Sequence, residues 1–241
     1  MQDNKVERIA KVIARRGFCS RREAEQLIFQ GDVFVDGVAV QSPSIKVSYD
    51  SEIKISGQII PKKEELKLWA FYKPKNCITS YKDPQGRPTV FSMLPSDIGR
   101  VVSIGRLDYS TEGLLLMSND GEVKRILELP SSKIKRVYKC KVYGIIPRQM
   151  QNILSDGVNI DGVYYAPVKF ALEQSNGKQH WIEMELTEGK NREIRRICEY
   201  FGLEVSRLIR VKYGNISLDG MSPKELRQLT YHEVKKLIPE L

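Results

Sequence analysis

The chain has only two histidines, His180 and His232, and four cysteines, Cys19, Cys77, Cys140 and Cys198, which lie far apart with no C-x-x-C pair. That pattern supports neither a disulfide framework nor a structural zinc site, so no metal is expected. No apolar run approaches the roughly 18 to 20 residues of a membrane span. Met1 to Arg16 carries five basic residues without the apolar block of a signal peptide. A cytoplasmic protein with no membrane partner is the expectation. No G-x-G-x-x-G follows a strand and no Walker loop occurs, which leaves nucleotide cofactors without a cradle; no cofactor is expected. Gly at 17 and Pro at 11 exclude a collagen-like or low-complexity chain.

What is present is a globular composition, 41% hydrophobic and 29% charged over 241 residues, with room for two modest domains. Lys and Arg number 39 against 30 Asp and Glu, a formal charge of +9 that favours a polyanionic partner. Much of the excess sits at the front. Residues 5 to 22 hold seven basic residues (Lys5, Arg8, Lys11, Arg15, Arg16, Arg21, Arg22) against Glu7 alone. Val6, Ile9, Ala10 and Ile13 recur at helical spacing, and Gly17 supplies a stop. Ser20-Arg21-Arg22-Glu23 reads as a capping box opening a second helix, with Ala24, Leu27 and Ile28 inward and Gly31 beyond its end. Val33 to Val40 alternates around Asp36-Gly37, a strong hairpin signal, and Ile53 and Ile55 add a short strand.

The two helices meet at residues 17 to 20, so Arg15, Arg16, Arg21 and Arg22 flank one corner, where guanidinium forks and helix N-terminal amides suit phosphate oxygens. The plainer alternative is a solvated basic face. With Ser20-Arg21-Arg22 followed by Val33-Phe34-Val35-Asp36-Gly37, the segment resembles the S4-like (α-L) RNA-binding domain first known from a small-subunit ribosomal protein. The resemblance implies RNA binding through Arg15, Arg16, Ser20, Arg21 and Arg22. Pro61 to Glu65 is charged and aperiodic and reads as a linker. The expected domains are therefore 1–62, with that linker, and 63–241.

From Leu66 onward the chain is strand-rich: 68–72, 101–104, 113–118, 136–143, 163–172, 181–187 and 205–213. Helices are expected only at 122–129, 147–154 and 192–201, and Asn176-Gly177 marks a hairpin. Successive strands without regular helical crossovers predict an α+β, mixed and largely antiparallel sheet rather than a doubly wound one.

The most informative stretch is Ile104-Gly105-Arg106-Leu107-Asp108-Tyr109-Ser110-Thr111-Glu112-Gly113-Leu114-Leu115-Leu116, a polar loop between two apolar strands. On loop chemistry alone, Asp108 reads as an Asx-turn residue before a functional one, with Thr111 and Glu112 as ordinary loop polars. Gly-Arg-Leu-Asp, then Thr-x-Gly-Leu-Leu-Leu and Asn119-Asp120-Gly121, resembles the signature loop of the pseudouridine synthases in the branch acting on ribosomal RNA. The likeness continues through Phe71-Tyr72-Lys73-Pro74, residues 83–91, residues 188–196 and residues 205–214, the last block favouring the large-subunit subgroup. Cys198 and Glu199 depart from it, standing where relatives carry bulkier apolar or aromatic residues.

The resemblance implies uridine isomerisation in ribosomal RNA by a monomer, with Asp108 as the nucleophile. Arg195 in Glu193-Ile194-Arg195 matches the arginine that pairs with the nucleophile. Tyr138 matches the tyrosine that stacks on the target base and takes the C5 proton, although a phenol is a poor base without help. Arg106, Lys190, Arg192, Arg196, Arg207 and Arg210, with a further run at Lys133, Lys135, Arg136, Lys139 and Lys141, are expected to face RNA. His180 and His232 are assigned no role in the chemistry. Three competitors remain: the same chemistry on small-subunit RNA, a non-catalytic ribosome-assembly factor, and a glycosidase using Asp108 and Glu112, whose separation in a loop fixes no carboxylate spacing.

Overall fold

The structure, a computed structural model, describes residues 6–62 and 64–240; Lys5 of the basic run and Lys63 of the expected linker lie outside them. The chain forms two compact units. The first ends at Lys67 and also takes in residues 96–102 and 119–121; the second comprises 68–95, 103–118 and 122–241.

The first unit opens with strand β1 (Val6–Arg8), helix α1 (Ile9–Arg15) and helix α2 (Arg21–Phe29). Val6 thus belongs to a strand, not to the helix its spacing suggested. Its backbone pairs with Ser48 of β4 (Lys46–Ser48), a ladder that satisfies groups a first helical turn would leave open. Ile9, Ala10, Val12 and Ile13 are buried with Ala24 and Ile28, the inward stripes of the two helices. Ser20 and Glu23 form the expected reciprocal capping box. Strands β2 (Val33–Val35), β3 (Val38–Ala39), β5 (Ile53–Ile55) and β6 (Gln58–Ile59) make a sheet in the order β3-β2-β5-β6. Asp36 and Gly37 both have positive φ, 48° and 82°, as a tight two-residue hairpin turn demands.

The second unit is built on a nine-stranded sheet. Its strands are β7 (Leu68–Lys73), β8 (Val102–Ile104), β9 (Glu112–Ser118), β10 (Arg136–Tyr143), β13 (Lys169–Asn176), β14 (Gln179–Leu186), β15 (Glu204–Tyr213), β16 (Ile216–Ser217) and β17 (Leu226–Gln228); β11 (Val158–Ile160) and β12 (Val163–Tyr165) pair separately. The main path runs β13-β14-β10-β15-β9-β7-β17, with β15 and β9 parallel to each other. The fold is the expected α+β arrangement. The run read as one strand at 163–172 divides at Ala166-Pro167-Val168, because proline has no N–H to give the ladder.

Helices α3 (Gly121–Glu128), α4 (Met150–Asp156), α5 (Glu193–Tyr200) and α6 (Tyr231–Leu237) complete the element order. Met150 and Leu154 of α4 and Ile194, Ile197 and Cys198 of α5 pack with Cys140, Ile182, Met184 and Leu208 of the sheet in one apolar core. Leu114, Leu115 and Leu116 of β9 are wholly buried. Each such side chain contributes about 2 kcal/mol of burial, enough to fix β9 and the loop that feeds it. Gly113 makes the parallel pairing possible: a Cβ there would lie 2.4 Å from the Arg210 carbonyl oxygen, and its φ is 109°. Among the described residues no helix is long and apolar enough to cross a membrane.

Candidate active site

Three adjacent strands converge beneath the loop between β8 and β9. Tyr138 on β10 stands opposite Arg210 on β15, and Arg210 stands opposite Gly113 on β9. Above them opens a cleft of about 900 Å³, within the range for small-ligand sites, lined by residues that include Asp108, Tyr138, Arg136 and Arg210.

The loop is pinned nearly residue by residue. The Gly105 N–H donates to Glu128 Oε1 at 2.5 Å. Thr79 Oγ1 donates to the Leu107 carbonyl at 3.0 Å and accepts from the Leu107 N–H at 3.3 Å. Lys73 sends Nζ to the carbonyls of Asp108 (3.1 Å), Thr111 (2.7 Å) and Pro74 (3.1 Å). Arg195 Nη2 donates to Ser110 Oγ at 3.0 Å, and its Nη1 to the Val205 carbonyl at 3.2 Å. Hydrogen bonds to its carbonyl thus hold Asp108, which lines the cleft. Lys73 is 0% exposed, and burial depresses its ammonium below the ordinary value, with Cys77, Asp108 and Glu112 opposing that shift.

Arg195 is not in hydrogen-bond contact with Asp108. It stands behind the loop: burial and then Arg192 lower its affinity for its proton, while Asp108 attracts it. Its arrangement therefore positions the loop through Ser110. Glu112, the second carboxylate weighed for hydrolysis, is clamped by Arg207, whose Nε and Nη2 lie 2.7 and 3.2 Å from its two oxygens, and by Lys75 at 3.6 Å. A carboxylate tied to two cations cannot serve as the partner acid, which removes the glycosidase reading.

A carboxyl pair lies on the far wall. Glu193, 4% exposed, accepts from the Lys190 N–H at 2.8 Å through Oε2, while no donor reaches its buried Oε1. Burial, reinforced by the neighbouring Glu188 carboxylate, pushes the Glu193 carboxyl up to about 7. Protonated at Oε1, it becomes a donor toward Glu188. Burial works against ionisation of Glu188 too, yet the Lys190 ammonium and the Ala166 N–H hold it below its ordinary range.

The basic residues fall into two groups. Arg106, Lys190, Arg192 and Arg196 are exposed in the second unit, as are Arg21 and Arg22 in the first. Lys190 among them pairs with Glu188, and most of the others hold partners within the chain. Arg16 is buried and donates to the Tyr49 and Ser51 carbonyls, both at 2.7 Å. Arg15 lies over the Tyr49 ring, 4.9 Å from its centroid, and reaches Glu7 at 3.3 Å and Asp120 at 3.2 Å. The Ser20 hydroxyl is occupied by the Glu23 N–H. Arg207 is tied to Glu112 as described, and Arg210 donates Nε to the Leu114 carbonyl at 2.7 Å. Of the run 133–141, Lys135 pairs with Glu185 and Lys139 with Glu173, each at 2.8 Å, and Arg136 is buried. Cross-strand acids thus partner two of the lysines of that run, while Lys133 is exposed. Among the described residues no cluster of His, Cys, Asp and Glu could hold a metal ion.

Sequence reasoning gave no role to Lys73, Thr79, Ser110 or Glu128. Lys73 falls within the matched Phe71–Pro74 motif, and a lysine closing the buried strand 68–73 was the available signal.

Comparison with known proteins bears on this geometry. Residues 67–200 match the family described as RNA pseudouridylate synthase, and residues 7–53 match the S4 domain. An uncharacterised RNA pseudouridine synthase of Rickettsia felis is 43% identical over 96% of this chain and all of that one. A Bacillus subtilis protein named ribosomal large subunit pseudouridine synthase B is 38% identical, covering 96% of both chains, and a Yersinia pestis protein of the same name is 40% identical over 90% of this chain and 70% of that one. A crystal structure of a pseudouridylate synthase superposes with a TM-score of 0.69 at 27% identity, covering 96% of this chain and 99% of that one.

Proposed function

The chain belongs to the RNA pseudouridylate synthase family, with an S4 domain ahead of the synthase region, and on that premise we propose that it isomerises one uridine of large-subunit ribosomal RNA, with Asp108 as nucleophile. The observation that carries the reading is the Asp108 loop, anchored through Leu107, the Asp108 carbonyl, Ser110 and Thr111, in a cleft that Tyr138 also lines. The large-subunit substrate follows the printed names of the Bacillus and Yersinia relatives.

Isomerisation breaks the C1′–N1 bond, turns the uracil, joins C5 to C1′, releases the C5 proton and returns a proton to N1. Nothing is oxidised or reduced. Asp108 supplies a nucleophile that holds one fragment while the walls keep the base from escaping. Tyr138 stacks on the base and takes the C5 proton. Arg195 acts on Asp108 by holding Ser110 and by its charge, closing on the carboxylate as the RNA displaces water. A stacked uridine cannot enter such a cleft, so the target nucleotide is unpaired or flipped at a cost of a few kcal/mol. Arg106, Lys190, Arg192 and Arg196 meet the flanking phosphates, and Arg21 and Arg22 add contacts from the first unit, in the cytoplasm where ribosomes are assembled. The chain acts as a monomer.

Mapping pseudouridine in ribosomal RNA from cells with and without this protein tests the reading. Loss at one large-subunit position is the expected result; an unchanged map, or a loss confined to small-subunit RNA, overturns it.

A further inference from the structure

Beneath the loop, Arg136 and Arg210 flank the ring of Tyr213, their guanidinium carbons 5.1 and 5.2 Å from its centroid. Both are buried, at 8% and 2% exposure, and both line the cleft. Their hydrogen bonds go to neutral acceptors: Arg136 to the Ile134 and Thr187 carbonyls at 3.2 and 3.0 Å and to Tyr213 Oη at 3.3 Å, Arg210 to the Leu114 carbonyl. Arg210 Nη2 has no partner. Among the described residues neither guanidinium has a carboxylate at ion-pair distance, whereas the half-exposed Arg207 of the same strand as Arg210 is neutralised by Glu112.

Two unneutralised charges buried side by side are costly, and an aromatic face offsets only part of that cost. Of the acids that line the cleft, Glu128 is bound to Lys124 and Glu188 to Lys190, and neither Asp108 nor Glu193 pairs with either guanidinium. An arrangement of this kind is preorganised for negative charge that enters or develops later. Phosphates stay on the RNA backbone at the mouth of the cleft, where the exposed Arg106 and Arg192 stand. What reaches the floor is a base.

Resting on the proposed function, we propose that Arg136 and Arg210 form the subsite that stabilises the detached uracil as an anion. When C1′–N1 breaks, its electron pair passes to N1 and spreads over O2, O4 and C5. Charge at C5 makes that carbon the nucleophile for C1′, which the Asp108 carboxylate has bonded as N1 left; as the C5–C1′ bond forms, the bond from C1′ to Asp108 breaks and its electron pair returns to the carboxylate, after which the C5 proton leaves and N1 is protonated. Guanidinium donors aimed at the carbonyl oxygens hold the anion through the turn without quenching C5. Tyr213, anchored by its hydroxyl to the Leu127 carbonyl at 2.6 Å, keeps the two arginines apart and in place.

The test uses full-length wild type, Arg210→Met and Arg136→Met, with Arg210→Lys as the charge-retaining control in case the neutral variants fold poorly. Each is assayed in single turnover on substrate RNA carrying uridine or 5-fluorouridine at the target, following loss of the parent nucleoside. Fluorine makes the departing base a weaker base that needs less help. The expected result is unchanged RNA affinity and salt slope, an uridine rate lowered about 100-fold, and a clearly smaller loss on the fluorinated RNA, with Arg210→Lys intermediate. Equal losses on both RNAs, no loss at all, or weaker binding with a salt slope lower by about 1, the mark of a phosphate contact, would each overturn the proposal. Wild-type protein that converts neither RNA contradicts the proposed function itself and is distinguished in this way from a failure of the arginine pair.

Discussion

Lys73 Nζ lies 3.1 Å from the carbonyl oxygen of Asp108, so the proposed nucleophile is held through its backbone by a lysine that has no exposed surface. The same ammonium binds the carbonyls of Pro74 and Thr111. Lys73→Met takes the ammonium away from three carbonyls, of which that of Asp108 keeps the Thr111 N–H and that of Pro74 the Cys77 thiol, and is expected to cost about 2 to 4 kcal/mol of stability. With the loop displaced, the single-turnover rate should fall about 100-fold while RNA affinity holds. A variant as stable and as fast as wild type shows that the loop keeps its shape without this anchor.

Arg195→Ala and Ser110→Ala both cut the link between α5 and the loop. Each is expected to slow single turnover, Arg195→Ala by about 100-fold and Ser110→Ala by less, because the arginine's charge also acts on Asp108. The two losses should be less than additive in the double variant. Arg196→Ala, exposed on the next position of the helix, should weaken RNA binding and leave the rate at saturating RNA intact; a slowed rate there would exchange the roles assigned to these neighbours.

Glu193 sets a pH dependence of known sign. Its carboxyl is pushed up to about 7 from an ordinary 4.5, so between those values the folded chain holds a proton that the unfolded chain has released. Stability from this group is present below pH 4.5 and is lost as pH rises to about 7. Glu188 is held low and titrates outside that window. Glu193→Gln, which cannot ionise, should gain on wild type in melting temperature as pH rises from 4.5 to about 7 and keep that gain above it. Parallel melting curves across that range would mean that Glu193 carries its charge throughout.

The two kinds of arginine in the first unit separate cleanly. Arg21→Ala or Arg22→Ala should lower the salt slope of RNA binding by about 1 per lost phosphate contact. Arg16→Ala should spare the slope and lower stability by about 1 to 3 kcal/mol, since it strands the Tyr49 and Ser51 carbonyls. If Arg16→Ala changes the salt slope as Arg21→Ala does, its guanidinium leaves the interior on binding. Point variants are the right tools here: deleting residues 1–62 also strips Arg15 from Asp120.

Local chemistry was legible where it is written in adjacent residues. The Ser20–Glu23 box, the Asp36-Gly37 turn, β10 to the residue and the largely antiparallel sheet all followed from patterns a few positions long. The Thr230–Glu233 box was equally visible and marks α6, a helix missed because its apolar stripe is short. What sequence could not convey was which cations are spent inside. Arg16, Arg207 and Arg210 read like any other surface arginine, and their carbonyl and carboxylate partners lie 33 to 96 positions away in the chain. Lys73 was hidden for the same reason, two of its three acceptors, the Asp108 and Thr111 carbonyls, being brought to it only when β7 meets the loop before β9.

The most direct measurement is single-turnover conversion of the target uridine by Asp108→Asn, with RNA affinity and melting temperature recorded on the same preparation. The amide keeps the shape, and backbone bonds to Lys73 and Thr111 hold the residue whatever its side chain. The account requires no detectable pseudouridine with binding and stability close to wild type; appreciable turnover by Asp108→Asn would contradict it.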